Sequence, residues 1–566
     1  MLFINPIIAQ KKAVVLVGEE CFMMKNDKIK LPKKIKSVNA LQPHLVRFVN
    51  EFRTQGYLTF SIDSVIEHKH AINIYMYSGT QYEHDAILIP DEEKRFIKQA
   101  NADNYIKNGK LSINQFPHLS KKVLSYFENN GFPFTDIYLD SINLNSQQVN
   151  ATLRIDRHQF IILDSIVVRG EAKLSQSFLY PYLGLRRKKA YNEKVIKQIP
   201  ARMAELPFVS EILPSGVEFV DDKAFLYLFL NKVKANQFDG YIGLVPVNEE
   251  TGKLSITGEL NLHLRNVFSL GESVGIHWNA PARYSQHLNI YANFPYLFWT
   301  PFGVDASFLL DKTDTSYLNM NYIVGLQYSF LGNNYIKTYF DFTSSNVLNP
   351  ELLVVSDNAY SLIDYKKQMY GIEVMIRRLD YLYNPRKGFA LLLNGAGGKM
   401  SVVKNSKVDA ELYDDIALST VRYRVQGDVK GYIPVLKRWV IVLGARGGAL
   451  FGKQNVGNEM FKFGGLRTLQ GFDEKALEAT SYLTGSGEIR FLFSKRSYIN
   501  AFFNGGWYER NIPKQYISDT PYGFGLGVAF DTKAGMFNLS YALGKQFDNP
   551  ITFKTGKIHF GMVLAF

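Results

Sequence analysis

In three consecutive segments near the C-terminus, every second residue is large and apolar, and none of those positions carries a charge. Phe524, Leu526, Val528 and Phe530 alternate with Gly523, Gly525, Gly527 and Ala529; Phe537, Leu539, Tyr541 and Leu543 alternate with Met536, Asn538, Ser540 and Ala542. At the chain end Ile558, Phe560, Met562, Leu564 and Phe566 alternate with Lys557, His559, Gly561, Val563 and Ala565. A period of two is that of a strand. A soluble sandwich would carry Lys, Glu and Thr on its outward face. Here one face is large and greasy while the other is small or polar, as in strands with lipid outside and a lumen inside. No open backbone edge survives in hydrocarbon, so such strands must close on themselves. The same grammar starts near Phe238, and about 330 residues at roughly 20 per strand and loop allow about 16 antiparallel strands.

Residues 40–235 follow a different pattern. Leu45, Val46, Phe48, Val49 and Phe52 have helical spacing, and the run ends at Gly56, a C′ cap. A strand pair is expected next, Ala71 to Tyr77 and Asp85 to Ile89, joined through Ser78-Gly79. The order returns with Val123, Leu124, Tyr126, Phe127 and Gly131, 75 residues after Gly56, and more faintly with Val195 to Leu206. That period, longer than a solenoid's, favours tandem α+β modules over one α/β domain with coincidental spacing. The expected division is an N-terminal segment 1–39, modules at 40–110, 111–160 and 161–235, and an all-β transmembrane barrel at 236–566. Met1 to Gln10, MLFINPIIAQ, reads either as the truncated core of a secretory signal, the favoured reading, or as an ordinary apolar tail.

Composition closes off other classes. With 46% hydrophobic and 21% charged residues the chain is not disordered, and at 566 residues it exceeds one core. A mean hydropathy of −0.11 is compatible with barrel strands, whose two faces average out. The formal charge of +13 is spread over both halves, so an anionic membrane is the expected partner rather than nucleic acid. Cys21 stands alone, so neither an internal disulfide nor a thiolate cluster is expected.

The most specific motif is Phe463-Gly464-Gly465-Leu466-Arg467-Thr468-Leu469-Gln470-Gly471-Phe472. It resembles the G-G-x-x-x-[VI]-R-G-[FY] stretch of the superfamily that contains BamA, TamA and the two-partner-secretion transporters. Asn384-Pro385-Arg386-Lys387-Gly388, Asn261 to Gly271 and Phe294-Pro295-Tyr296 are secondary matches. The resemblance implies tandem periplasmic POTRA domains before a 16-stranded outer-membrane barrel. It also implies that a long extracellular loop folds back into the lumen with Gly464, Gly465, Leu469, Gln470, Gly471 and Phe472 at its tip. The family's Arg is Gln470 here. Of the barrel-wall acids that the Arg reaches, the first resembles Glu488 and the second is Asn504. A carboxylate stripped of its cation would be left unpaired, whereas Gln and Asn can pair through their amides. A Gln470, Asn504 and Glu488 latch is therefore expected, with Arg490 on the Glu488 face. Phe560, Leu564 and terminal Phe566 match the C-terminal signal by which barrel proteins are recognised.

Catalytic motifs do not survive inspection. Gly271-Glu272-Ser273-Val274-Gly275 lacks the strand, turn and helix of a nucleophile elbow. Gly447 to Lys453 resembles a phosphate loop, but Gln454 stands where Ser or Thr would hold magnesium. No catalytic residue, metal site or cofactor is expected. The resemblance implies an assembly or translocation factor that captures unfolded outer-membrane or secreted polypeptides with its modules and passes them through a barrel seam. Outer-membrane lipid and accessory envelope proteins are the further partners. The alternative is a two-partner-type secretion pore; a passive porin would leave the repeats unexplained.

Overall fold

The computed structural model describes residues 12–563 apart from 18–30, 36, 55, 83, 108–109, 146–147, 247–253, 281–283, 331, 350–361, 382–383, 407–412, 415, 467, 495, 514, 533–535 and 550. The chain divides into two compact units, one of residues 1–164, 188–196 and 219–224, the other of the remainder.

In the first unit, helix α1 (Val38–Thr54) buries Leu41, Leu45, Phe48 and Phe52. Their spacing of four, three and four makes one stripe that faces a sheet. That sheet runs Lys34–Ile35, Lys12–Val17, Ala71–Tyr77, Ser61–Glu67, and contributes Ile72 and Ile74 to the core. Each such side chain stabilises the module by about 1.5–3 kcal/mol. The helix ends before Gly56 (φ +96°), where a Cβ would lie 2.5 Å from the Tyr82 carbonyl oxygen. The second sheet runs Ile106–Lys107, Lys110–Leu111, His84–Leu88, Gln148–Asp156, Asp136–Asn145. Helices α2 (Asp91–Gln99) and α3 (Phe116–Glu128) bury Ile97, Leu119, Val123 and Phe127 in the same core as Leu111 and Leu153.

Two expectations differ from this arrangement. Lys12–Val17, read as part of the N-terminal segment, pairs in parallel with Ala71–Tyr77. Asp85 to Ile89, read as the hairpin partner of Ala71 to Tyr77, instead belongs to the second sheet, where His84–Leu88 runs parallel to Gln148–Asp156. Both have one cause: a parallel ladder joins segments distant in sequence and carries no hairpin signal.

Two further helices follow, α4 (Gln176–Leu183) and α5 (Glu193–Ala204). The Ser175 side chain caps α4 by accepting from the Phe178 N–H, and Gly184 closes it in the left-handed region. Arg202 is buried, donating to the Leu183 carbonyl and to Gln198, while the Tyr182 hydroxyl donates to the Arg202 carbonyl at 2.6 Å. Burial raises the Glu205 carboxyl above its ordinary pKa, against the lowering pull of the Asn333 backbone, Arg377 and Arg202.

The large sheet of the second unit contains seventeen segments. We number its strands β1 (Gln237–Pro246), β2 (Leu254–Arg265), β3 (Ser273–Ala280), β4 (Gln286–Phe294), β5 (Phe302–Thr313), β6 (Tyr317–Ser329), β7 (Tyr335–Val347) and β8 (Tyr365–Leu379). They continue as β9 (Gly388–Val402), β10 (Ser419–Leu436), β11 (Trp439–Gly452), β12 (Ser481–Leu492), β13 (Tyr498–Ile512), β14 (Gln515–Asp519 and Tyr522–Asp531), β15 (Met536–Lys545) and β16 (Lys557–Val563). The two halves of β14 pair with β13 in one continuous register, Tyr508 with Asp519 and Gly505 with Tyr522. Pro521, which has no N–H to give a ladder, separates them. Every strand is antiparallel to its neighbour in sequence, as a sixteen-stranded barrel requires. Strands β1 and β16 approach within 8 Å between Cα atoms, but among the described residues no ladder joins them.

Side chains sort by parity, and the sense is inverted relative to a soluble sheet. On β10 Val421, Tyr423 and Val425 are 57%, 56% and 53% exposed while Arg422 between them is 2% exposed. On β6 Tyr322, Val324, Leu326 and Tyr328 point out, while Gln327 and Ser329 are buried. Exposed apolar rows of this length mark a surface that meets something apolar, and around a closed sheet that is lipid. No helix among the described residues is long and apolar enough to cross a membrane; the strands do it.

Candidate functional site: the lumen loop and the last barrel strands

The inner wall is a belt of paired charges. Arg424 meets Asp341 at 2.8 Å across three strands, Lys337 lies between Asp305 (3.1 Å) and Glu373 (2.9 Å), and Arg446 pairs with Asp428. Lumen charges with partners avoid the cost of an isolated ion away from bulk water.

Into this belt folds the loop between β11 and β12. It begins with a one-turn 3-10 helix, Gly457–Glu459, and continues as a short hairpin, Phe461–Phe463 with Leu477–Ala479. Phe463, Leu469, Phe472, Leu477 and Ala479 form a small core with Tyr482 of β12 and Tyr508 of β13. The hairpin carries the predicted tip at its end. Gly465 N–H donates to Leu469 O at 3.0 Å, Leu466 N–H to Glu474 at 2.7 Å, and the Thr468 hydroxyl to Gly464 O at 2.7 Å. Leu469 is fully buried.

The tip lies backbone-first on the wall. A Cβ at Gly523 would sit 2.2 Å from the Gln470 carbonyl oxygen, and one at Gly544 would sit 2.5 Å from that of Gly471. Gly471 itself has φ +101°, which a residue with a Cβ rarely adopts. Two residues further on, Asp473 pairs with Lys557 at the start of β16 at 2.9 Å. Thus Gln470, Gly471 and Asp473 rest on β14, β15 and β16, the strands leading to the seam.

The predicted latch residues are placed differently from one another. Glu488 is held by Arg490 through two 2.8 Å bonds, and Arg490 also reaches Asn384 at 3.1 Å and stacks over Tyr498. Asn504 is buried, and neither end of its amide makes a hydrogen bond among the described residues. The Gln470 amide donates to Leu466 O at 3.2 Å within the tip. So the structure brings Gln470 to the strand that pairs with Asn504, since Asn504 is opposite Gly523, but it presents the carbonyl rather than the side chain. The expected amide pairing is not formed. Of the C-terminal residues, Phe560 is in β16, opposite Leu539; Leu564 and Phe566 lie outside the described residues.

Sequence reasoning missed the loop's other attachment. Asn458 and Glu459 are buried against β6, β7, β8 and β10. A signal was present: Lys367 and Arg422 occupy lumen-facing positions, and buried cations need an acid from somewhere. Among the described residues no group of three or more His, Cys, Asp or Glu could hold a metal.

Residues 266–566, more than half of the chain, match the Omp85 superfamily domain. No curated protein matches the sequence. Among solved structures, CdiB from Escherichia coli is similar with a TM-score of 0.53 at 14% identity, over 94% of this chain and 98% of that one. CdiB from Acinetobacter baumannii gives 0.52 at 15% identity, over 85% and 90%. BamA from Haemophilus ducreyi lacking POTRA domains 1–3 gives 0.44 at 14% identity, over 85% and 99%.

Proposed function

Because the chain belongs to the Omp85 superfamily of outer-membrane barrels, whose members insert or secrete polypeptides, we propose that it inserts client polypeptides through the gap between β1 and β16. One observation carries this reading: the two end strands are near each other yet unladdered among the described residues, which leaves the β1 edge, as far as those residues go, available to a client strand. The tandem α+β modules stand in the periplasm and receive unfolded clients. Gly464 to Phe472 regulate access to the gap by docking on the strands beside it. Phe560, Leu564 and Phe566 form the signal for the chain's own assembly. The driving force is client folding, with no cofactor and no catalytic residue.

A secretion pore is the second reading, favoured by a lumen whose charged wall, with Arg424, Asp428 and Lys430 on β10, suits the passage of a polar chain. Depletion in intact cells separates the two. Insertion predicts that heat-modifiable barrel proteins fall in the outer membrane. Unchanged levels, with loss of one secreted polypeptide, would replace insertion with secretion.

A further inference from the structure

We propose that Glu459 is the fixed anchor of the lumen loop, clamping it to the wall opposite the seam so that the loop bars the lumen. Its carboxylate lies between Lys367 Nζ at 2.9 Å and Arg422 Nε at 3.2 Å, and all three side chains are nearly inaccessible (1%, 6% and 2% exposed). The neighbouring cation, Arg424, is already taken by Asp341. Loss of Glu459 therefore leaves two buried cations without their acid.

The residue before it shapes the same attachment. The Asn458 side chain donates to Ser345 Oγ at 2.6 Å and to Ile363 O at 2.8 Å, and its Oδ1 accepts from Ile363 N–H. The Asn458 carbonyl accepts from Asn319 at 2.8 Å and from the Tyr365 hydroxyl at 3.3 Å. A single turn of loop thus reaches β6, β7, β8 and β10.

Most of these strands lie across the ring from the ones under the tip. In a ring of sixteen, β6 to β8 are six to eight places from β14 to β16 by the shorter way round, eight being the diameter, and β10 is four to six. The loop is held at Glu459 by buried charge, along its hairpin by the core that Phe463, Leu469 and Phe472 form with Tyr482 and Tyr508, and at its tip on β14 to β16 by backbone contact on glycines with the exposed ion pair of Lys557 and Asp473. Exposed pairs contribute little, whereas breaking a buried pair is strongly unfavourable. The seam end therefore releases first, and the Glu459 end remains as the pivot.

Purified full-length protein in planar bilayers tests this without any client, so the outcome is independent of whether the chain inserts or secretes. Glu459→Gln should raise the open fraction by about a hundredfold, seen as a large steady conductance, while heat-modifiable migration shows that the barrel has formed. A reversible tether should undo it. In a Cys21→Ser background, Ser345→Cys with Asn458→Cys added to Glu459→Gln should close the pore when oxidised and open it on reduction. If Glu459→Gln does not fold, Lys367→Gln, which leaves Glu459 with Arg422, should give intermediate opening. Folded variants that conduct like the wild type, or an oxidised tether that leaves the pore open, would overturn the proposal.

Discussion

Arginine placed at two positions three residues apart on β10 should have opposite fates. Val429 points outward and Gln426 inward, by the same parity that exposes Val425 and buries Arg422. Strand β10 spans Ser419–Leu436, so its midpoint falls between Gly427 and Asp428. With a rise of about 3.3 Å per residue and a tilt of roughly 40°, each residue climbs about 2.5 Å along the barrel axis. Val429 is then about 4 Å from the midplane of an apolar band about 25 Å tall, where an outward Arg costs about 2–4 kcal/mol. That corresponds to a loss of about thirtyfold to several hundredfold in the folded-to-unfolded ratio. Gln426→Arg instead enters a polar lumen on the face that carries Asp428, and should change stability by less than about 1 kcal/mol. Urea unfolding in lipid vesicles, read by gel mobility without heating, measures both. Equal losses, or the larger loss at Gln426, would mean that the faces are assigned the wrong way round.

Gly544→Val should undock the loop tip and spare the barrel, because the new Cβ would lie 2.5 Å from Gly471 O and 3.1 Å from the Phe472 ring; trypsin should cut after Arg467 or Lys475 about tenfold faster, with heat-modifiable migration unchanged. Glu205→Gln should stabilise the protein at neutral pH. Burial raises the folded-state pKa of Glu205, so folding takes up a proton and stability falls as pH rises from the ordinary carboxylate value through the raised one. The variant's advantage in thermal melting in detergent should therefore be present at pH 8 and vanish below the ordinary value; an equal advantage at every pH would remove the titration from the explanation.

Local physics carried most of the fold into the sequence. The alternation of Phe524, Leu526, Val528 and Phe530 with glycines is a property of one strand and needs no partner to be seen. Gly56 and Gly131, both in the left-handed region, mark helix ends that their neighbours announce. The parallel ladder of Lys12–Val17 is different in kind, since its partner is Ala71–Tyr77 and nothing local points there. The site divides along the same line. The tip motif is contiguous and was readable, as was the Glu488 and Arg490 pair, two residues apart on one face. Glu459 was not, because its partner Lys367 is 92 residues away and loops have no period. Gln470 shows a further limit: side-chain identity does not reveal whether a residue turns its amide or its carbonyl to a wall.

The inner face of β14 and β15 bears Gly523, Gly525, Gly527 and Gly544, and at Gly523 and Gly544 the loop lies backbone to backbone on it. Glycines bring no side chain of their own to an interlocking layer, so this panel is more compliant than a wall of larger residues. While the loop is seated it serves as a rib behind the panel, and the curvature of the last strands is held from within. Once the tip lifts, bending should concentrate there. The mechanical weak point thus sits beside the gap between the end strands, and one movable rib can govern how wide that gap stands.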